Sequence, residues 1–221
     1  KENLVDEINT SKIINNSKFF SLKKKIVGES WKTKINKISN YLKINNSDYL
    51  FVSAPENVAW VLNIRGNDVP NSPLPNARLI ISKTKKILLI SKLIKVKKLI
   101  SENKIKSNEL ISNEDFSKKI SYLKGKSFII DDKSCSIFYE NLIKSKFIIH
   151  KREDPIYYLK SIKNKIEIKN MIKTHIIDGA ALTKFIYWLK NINKRQITEV
   201  QAQNKLEKFR KQNKKYLYPS F

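Results

Sequence analysis

Residues 79–101 read LIISKTKKILLISKLIKVKKLIS, and this stretch sets the fold class. Two apolar runs, Leu79 to Ile81 and Ile87 to Ile90, flank the polar residues Ser82 to Lys86. Short apolar runs joined by a polar turn of at most five residues predict a β-hairpin. The period then changes, and a helix is predicted from about Leu93 to Ser101. Upstream, Ser30 caps a predicted helix whose apolar positions Trp31, Ile35, Ile38 and Leu42 recur at helical spacing. Tyr49 to Ser53 reads as a buried strand, and Pro55 opens a helix through Val58, Trp60 and Leu62 that stops near Gly66. A proline-rich loop, Val69 to Pro75, excludes both helix and central strand. Downstream come a short strand near Leu110, a helix capped by Asn113 with Glu114 and Asp115 in its first turn, and a strand at Phe128 to Ile130. A helix from Ser136 to Lys144 and a strand at Phe147 to Ile149 close the series. Strands and helices interleaved in this way predict an α/β domain with a mixed sheet flanked by helices.

The pattern changes at Glu153. Asp154 followed by Pro155 is a helix start, with the acid at the cap and proline in the first turn. Helix is then expected over Ile156 to Ile162 and Ile166 to Ile192, with Ile168, Ile172, Ile176, Leu182, Phe185 and Leu189 at helical spacings. Gly179 inside that pattern costs about 1 kcal/mol relative to Ala, which points to close packing against a neighbour. After a turn at Asn191 to Arg195, Thr198 and Gln201 form a T-x-x-Q capping box for a last helix through Leu206 and Phe209. The expected domains are 1–27, a connector from a missing first domain; 28–153, the α/β domain; and 154–221, helices whose apolar faces await a covering sheet.

The chain has 221 residues, of which 41% are hydrophobic and 29% charged, a balance that indicates a globular protein. No apolar run approaches the roughly 20 residues of a membrane helix. It starts at Lys1 without a signal pattern, so the start is expected to be processed or cut. The single Cys135 excludes an internal disulfide, and with only His150 and His175 no Cys/His zinc site can be assembled; a cytoplasmic location follows. The net charge of +25 raises nucleic-acid binding as an alternative. Against it, the arginines are only Arg65, Arg78, Arg152, Arg195 and Arg210, and the lysines are spread over the polar faces of nearly every predicted helix.

Single residues carry little chemistry of their own. Asp131 and Asp132 are adjacent, so on a strand they would face opposite sides and cannot act as a paired acid and base. His175 has Asp178 at i+3 but no further ligands nearby, and Cys135 has no local His or Asp partner. Trp31, Trp60 and Trp188 fall at core-facing helix positions.

Three stretches in order resemble the three-domain aminopeptidase P (Xaa-Pro aminopeptidase) family. Residues from Ala54 to Pro70, APENVAWVLNIRGNDVP, are similar to its D-E-I-A-W-L-x-N-L-R-G-x-D motif. Leu159 to Asn164 with Glu167, Met171, His175-Ile176, Asp178-Gly179 and Ala181-Leu182 resemble K-A-I-K-N-x-x-E-x-x-x-M-x-x-A-H-I-x-D-G-x-A-L. Ile197 to Val200 with Lys205 to Arg210 resemble L-T-E-I-x-A-x-x-K-L-E-x-F-R-R, and Pro219 to Phe221 loosely echo the L-S-F that follows. Asn3 to Ile8 is similar to N-L-V-D-x-I, with Asn9 where the family has tryptophan. The match is weakest between Lys83 and Lys151.

The resemblance implies a creatinase/prolidase N-terminal-like domain followed by the opening helices of a pita-bread catalytic domain. The parent would hydrolyse the bond between an N-terminal residue and a following proline, and would be a homodimer. Two metal ions, usually Mn2+, would activate a bridging water and polarise the scissile carbonyl. Their ligands in the family are aspartates, a histidine and glutamates beyond L-S-F-P, so no catalytic or metal residue is expected here and the fragment alone is expected to be inactive. Arg65 and Asp68, either side of Gly66, are the substrate-cleft candidates; the alternative is that they pair with each other or cap helix ends. A metal-free pita-bread protein acting as a binding module is the rival reading.

Overall fold

Along β2 (Tyr49–Val52), Leu50 and Val52 point to one side of the sheet and Phe51 to the other, and this alternation organises the molecule. In the computed structural model, which describes residues 17–192 and 196–219, the same split runs through the neighbouring strands. In β4 (Arg78–Ser82), Leu79 and Ile81 join the first face and Ile80 the second. In β7 (Ser127–Ile130), Ile129 takes the first face while Phe128 and Ile130 take the second. Both faces are apolar, so both must be covered by helices.

The first face is covered by α2 (Trp31–Ile44), α3 (Pro55–Leu62) and α4 (Leu93–Ser101), through Ile35, Ile38 and Leu42, Val58, Val61 and Leu62, and Val96 and Leu99. The second is covered by α5 (Phe116–Tyr122) and α6 (Ile137–Lys144), through Phe116, Ile120, Tyr139 and Ile143. Rings pack this side: Tyr49 stacks on Phe128 at 4.7 Å, and Phe116 meets Tyr139 edge-on at 4.9 Å. The strand order is β6–β5–β4–β2–β7–β8, with β5 (Ile87–Ile90), β6 (Leu110–Ile111) and β8 (Ile148–Lys151) completing the sheet. β2 pairs antiparallel with β4 and parallel with β7, and β4 pairs antiparallel with β5, so the sheet is mixed as expected. A two-stranded ribbon of β1 (Phe20–Ser21) and β3 (Ile64–Arg65) lies outside it. Before α2 stands one turn of helix, α1 (Lys24–Val27).

Several boundaries differ from the sequence reading for local reasons. Helix α3 ends at Leu62, because Asn63 turns into the left-handed region (φ 50°, ψ 46°) before Gly66 is reached; asparagine tolerates that conformation better than most residues. Helix α5 begins at Phe116 with Asp115, not Asn113, at its cap, since Ser112 to Asp115 form a turn in which the Ser112 hydroxyl accepts from the Asp115 amide. Phe147 lies in the turn after α6, its amide donating to the Ile143 carbonyl, so β8 starts one residue later. Three lysines, Lys34, Lys95 and Lys104, are exceptions to the exposed pattern and are buried.

The chain after Asp154 divides in two. In α7 (Pro155–Ser161), Ile156 is fully buried in the core beneath α3, so this helix belongs to the α/β body. Helices α8 (Lys165–Lys190) and α9 (Glu199–Lys211) project from it as an antiparallel pair tied by Arg210 and Asp178, at 2.7 and 3.0 Å. In α8 only Ala181 is buried, and Ile168, Ile172, Ile176, Leu182, Ile186 and Leu189 are exposed. The close neighbour expected at Gly179 is not found, for apart from its chain neighbours and the helix's own backbone no atom among the described residues lies within 4 Å of where a Cβ would stand. Trp188 is half-buried beside Phe185 and Lys205 rather than in a core. The expectations resting on Asn3 to Ile8, on Arg195 and on Phe221 lie outside the described residues.

Candidate functional site

The loop that carries Arg65 and Asp68 is fixed by the turn at Asn63. Its left-handed backbone reverses the chain from α3 into β3, and its side chain and carbonyl are then gripped from three directions. The Lys34 ammonium donates to Asn63 Oδ1 at 2.7 Å and to the Trp60 carbonyl at 2.9 Å, at 3.8 Å from the centre of the Trp60 ring. Lys104 donates to the Asn63 carbonyl and to Ser21 Oγ, each at 3.1 Å. Asn63 itself donates to the Glu29 carbonyl at 2.8 Å. Lys34 is 1% exposed and Lys104 9%, and burial pushes both ammonium pKa values down to about 8.

Arg65 and Asp68 take separate partners. Arg65 Nη1 donates to the Ile64 carbonyl at 2.8 Å and reaches back to the Ala59 carbonyl in the last turn of α3 at 3.4 Å. Burial lowers its pKa, an effect that the Glu167 carboxylate partly offsets. Asp68 is ion-paired with Lys95 and accepts from the Asn76 amide at 2.7 Å, with its side chain 2% exposed. Gly66 between them admits no side chain, because a Cβ would come within 2.9 Å of the Pro75 backbone and the Phe19 ring. The loop from Gly66 to Ala77 therefore closes on itself, with the Gly66 and Asp68 amides donating to the Pro73 and Leu74 carbonyls.

Two side chains dock α8 against the body. Asn164 caps the helix, accepting from the Ile166 and Glu167 amides, and donates to the Val27 carbonyl at 2.9 Å. Asn170, further along, donates to the Ile26 carbonyl at 2.9 Å. Both acceptors lie in α1, and Gly28 (φ 74°) leaves room for the Asn164 carboxamide.

The other singled-out residues do not converge. Asp131 is buried and accepts from the Lys133 amide at 3.0 Å, whereas Asp132 is exposed. His175 is exposed on α8 and His150 is half-buried on β8. Burial pushes the Cys135 thiol up to about 11, which disfavours the thiolate a nucleophile needs. Among the described residues no group of three or more His, Cys, Asp and Glu side chains could hold a metal ion, so these residues do not fit the dinuclear metal centre implied for the parent. Nor, among them, is any helix long and apolar enough to cross a membrane. The buried lysines and the Asn164 and Asn170 contacts went unread in the sequence; only the capping pattern of Asn164 and Glu167 gave any local signal.

Comparison with known proteins bears on the family and the fold. The chain is 30% identical over 230 residues to Xaa-Pro aminopeptidase ApepP of Drosophila melanogaster, covering 99% of this chain and 37% of that protein. It is 29% identical over 238 residues to Xaa-Pro aminopeptidase 1 of Dictyostelium discoideum, covering 100% of this chain and again 37% of the relative. The chain thus spans little more than a third of the length of these relatives. Among solved structures, the X-prolyl aminopeptidase of Caenorhabditis elegans, described as a cytosolic enzyme with a di-nuclear active site, superposes with a TM-score of 0.84 at 23% identity, over 100% of this chain and 37% of that one. The Xaa-Pro dipeptidase of Bacillus anthracis shares the fold at a TM-score of 0.61 and 16% identity. Residues 11–167 match the creatinase/prolidase N-terminal domain family, and the chain belongs to that family.

Proposed function

We propose that this chain is the middle α/β domain and the opening catalytic-domain helices of a metal-dependent Xaa-Pro aminopeptidase, which removes the N-terminal residue of peptides with proline in the second position. The observation that supports this most directly is α8, a 26-residue helix held to the body at Asn164 and Asn170 with its apolar face uncovered among the described residues. Such a face suits a catalytic sheet packed on it, and the similarity to Xaa-Pro aminopeptidases over essentially the whole chain points the same way. The parent works in the cytoplasm as a homodimer. Its two metal ions, Mn2+ in this reading, are held by residues other than those described here, so the chain on its own is inactive.

Within this reading the two cleft candidates divide their roles. Arg65, its guanidinium set against the end of α3 by the Ile64 and Ala59 carbonyls, confines the substrate. Asp68 holds the loop, because its carboxylate is committed to Lys95 and the Asn76 amide. The test is hydrolysis of an Xaa-Pro peptide and its Xaa-Ala counterpart by the full-length enzyme with manganese, alongside Arg65→Ala. Selective cleavage before proline, with kcat/KM reduced about tenfold in the variant, supports the reading. Equal cleavage of both peptides, or none, removes the assigned reaction; an unaltered kcat/KM in Arg65→Ala removes the cleft role.

A further inference from the structure

Two lysines, Lys34 and Lys104, are buried, and neither has a carboxylate within ion-pairing distance among the described residues. A buried ammonium whose direct hydrogen-bond partners are all neutral is costly to keep, and buried positions are normally filled by apolar side chains. Lys34 and Lys104 sit on different elements, α2 and the segment after α4, yet both converge on Asn63. Lys34 takes its side-chain oxygen and Lys104 its carbonyl oxygen, while the Leu22 amide donates to that same carbonyl at 2.9 Å. Asn63 is the left-handed turn residue, and the chain leaving it runs through Ile64 directly to Arg65. The backbone that carries Arg65, whose guanidinium donates back to the Ile64 and Ala59 carbonyls, therefore emerges from a turn that two buried cations clamp. Departures from local rules of this kind are expected where a group must be held in one geometry for function.

We propose that Lys34 and Lys104 are positioning residues that lock the Asn63 turn and so fix the position of Arg65. This rests on the substrate-confining role assigned to Arg65 above. Lys34 acts through Oδ1 and the Trp60 carbonyl, tying the turn to the end of α3. Lys104 ties the same turn to β1 through Ser21. Neither ammonium touches substrate.

The test has two arms. In the 221-residue chain, hydrogen exchange is measured for Lys34→Met, which keeps the apolar stem and removes the donor, and for Asn63→Gly, which keeps the left-handed backbone and removes Oδ1. Both should raise exchange at residues 63–66 at least tenfold and leave the amides of β2 and β7 unchanged. Asn63→Gly also decides this arm if Lys34→Met fails to fold. In the full-length enzyme, Lys34→Met should raise KM for an Xaa-Pro peptide three- to tenfold with little change in kcat, and should have no further effect once Arg65→Ala is present. Unchanged exchange at 63–66, or effects of the two substitutions that multiply independently, would overturn the proposal. Absence of Xaa-Pro hydrolysis by the parent would end the functional reading instead, and the exchange arm would still decide whether the clamp exists.

Discussion

Asn57 donates through Nδ2 to Asp154 Oδ2 at 2.8 Å across 97 residues of sequence, and both side chains are buried, at 0% and 1% exposure. The contact joins α3 to the start of α7. Lys160 completes it by donating to Asn57 Oδ1 at 2.7 Å, so the carboxamide links a carboxylate to an ammonium. Asp154 also accepts from the Ile156 amide at 2.9 Å, which makes it both the cap of α7 and its anchor. Replacing Asn57 by Leu would leave a buried carboxylate without this donor. Asn57→Leu is expected to destabilise the chain by about 2–4 kcal/mol in urea denaturation. A loss below about 0.5 kcal/mol would show that the contact contributes little.

The same carboxylate gives a pH signature. Burial pushes the Asp154 pKa up to about 6 from its ordinary 3.8. The folded state therefore holds the proton more tightly than the unfolded state, and the stability so gained is full below about pH 3.8 and lost as pH rises through 6. Asn at this position keeps the cap but cannot titrate. Wild type should gain about 1–3 kcal/mol relative to Asp154→Asn between pH 7 and pH 4, read as the difference between two urea titrations. A difference that stays flat over this range would contradict the assignment.

Gly28 makes room for the docking of α8. A Cβ there would stand 2.7 Å from Asn164 Cγ, and the backbone φ of 74° is one that side chains resist. Gly28→Ala should cost about 1–2 kcal/mol for the backbone alone. Because the clash falls on Asn164, limited proteolysis should also become several-fold faster around Ile162 to Asn170, with the sheet still protected. Equal cleavage rates would mean that α8 is held by other contacts.

Helix α8 exposes Ile172 at 56% and Ile176 at 69%, one turn apart on a continuous apolar strip. The 221-residue chain should therefore bind a hydrophobic dye and self-associate, despite its net charge of +25. Ile172→Lys with Ile176→Lys should reduce both signals. A monodisperse, dye-negative monomer in the unsubstituted chain would show that the strip is covered.

The amino-acid sequence carried the elements themselves, because their signals are local. Alternating Leu50, Phe51 and Val52, the helical spacing of Ile35, Ile38 and Leu42, and the caps at Ser30, Asp154 and Thr198 depend on residues within a turn or a strand of each other. The same patterns left α8 with an apolar strip but could not show that Ile156, one helix earlier, sinks into the α/β core. The tertiary structure alone decided which polar groups meet: Lys34 with Asn63, Asp68 with Lys95, Asn57 with Asp154, Asn164 with Val27. These partners lie tens of residues apart or more, and a lysine's periodicity is the same whether its ammonium ends in water or on a buried carbonyl. Hydrogen bonds form only over about 3 Å, so the packed sheet and helices must first bring the groups together before their chemistry can be read.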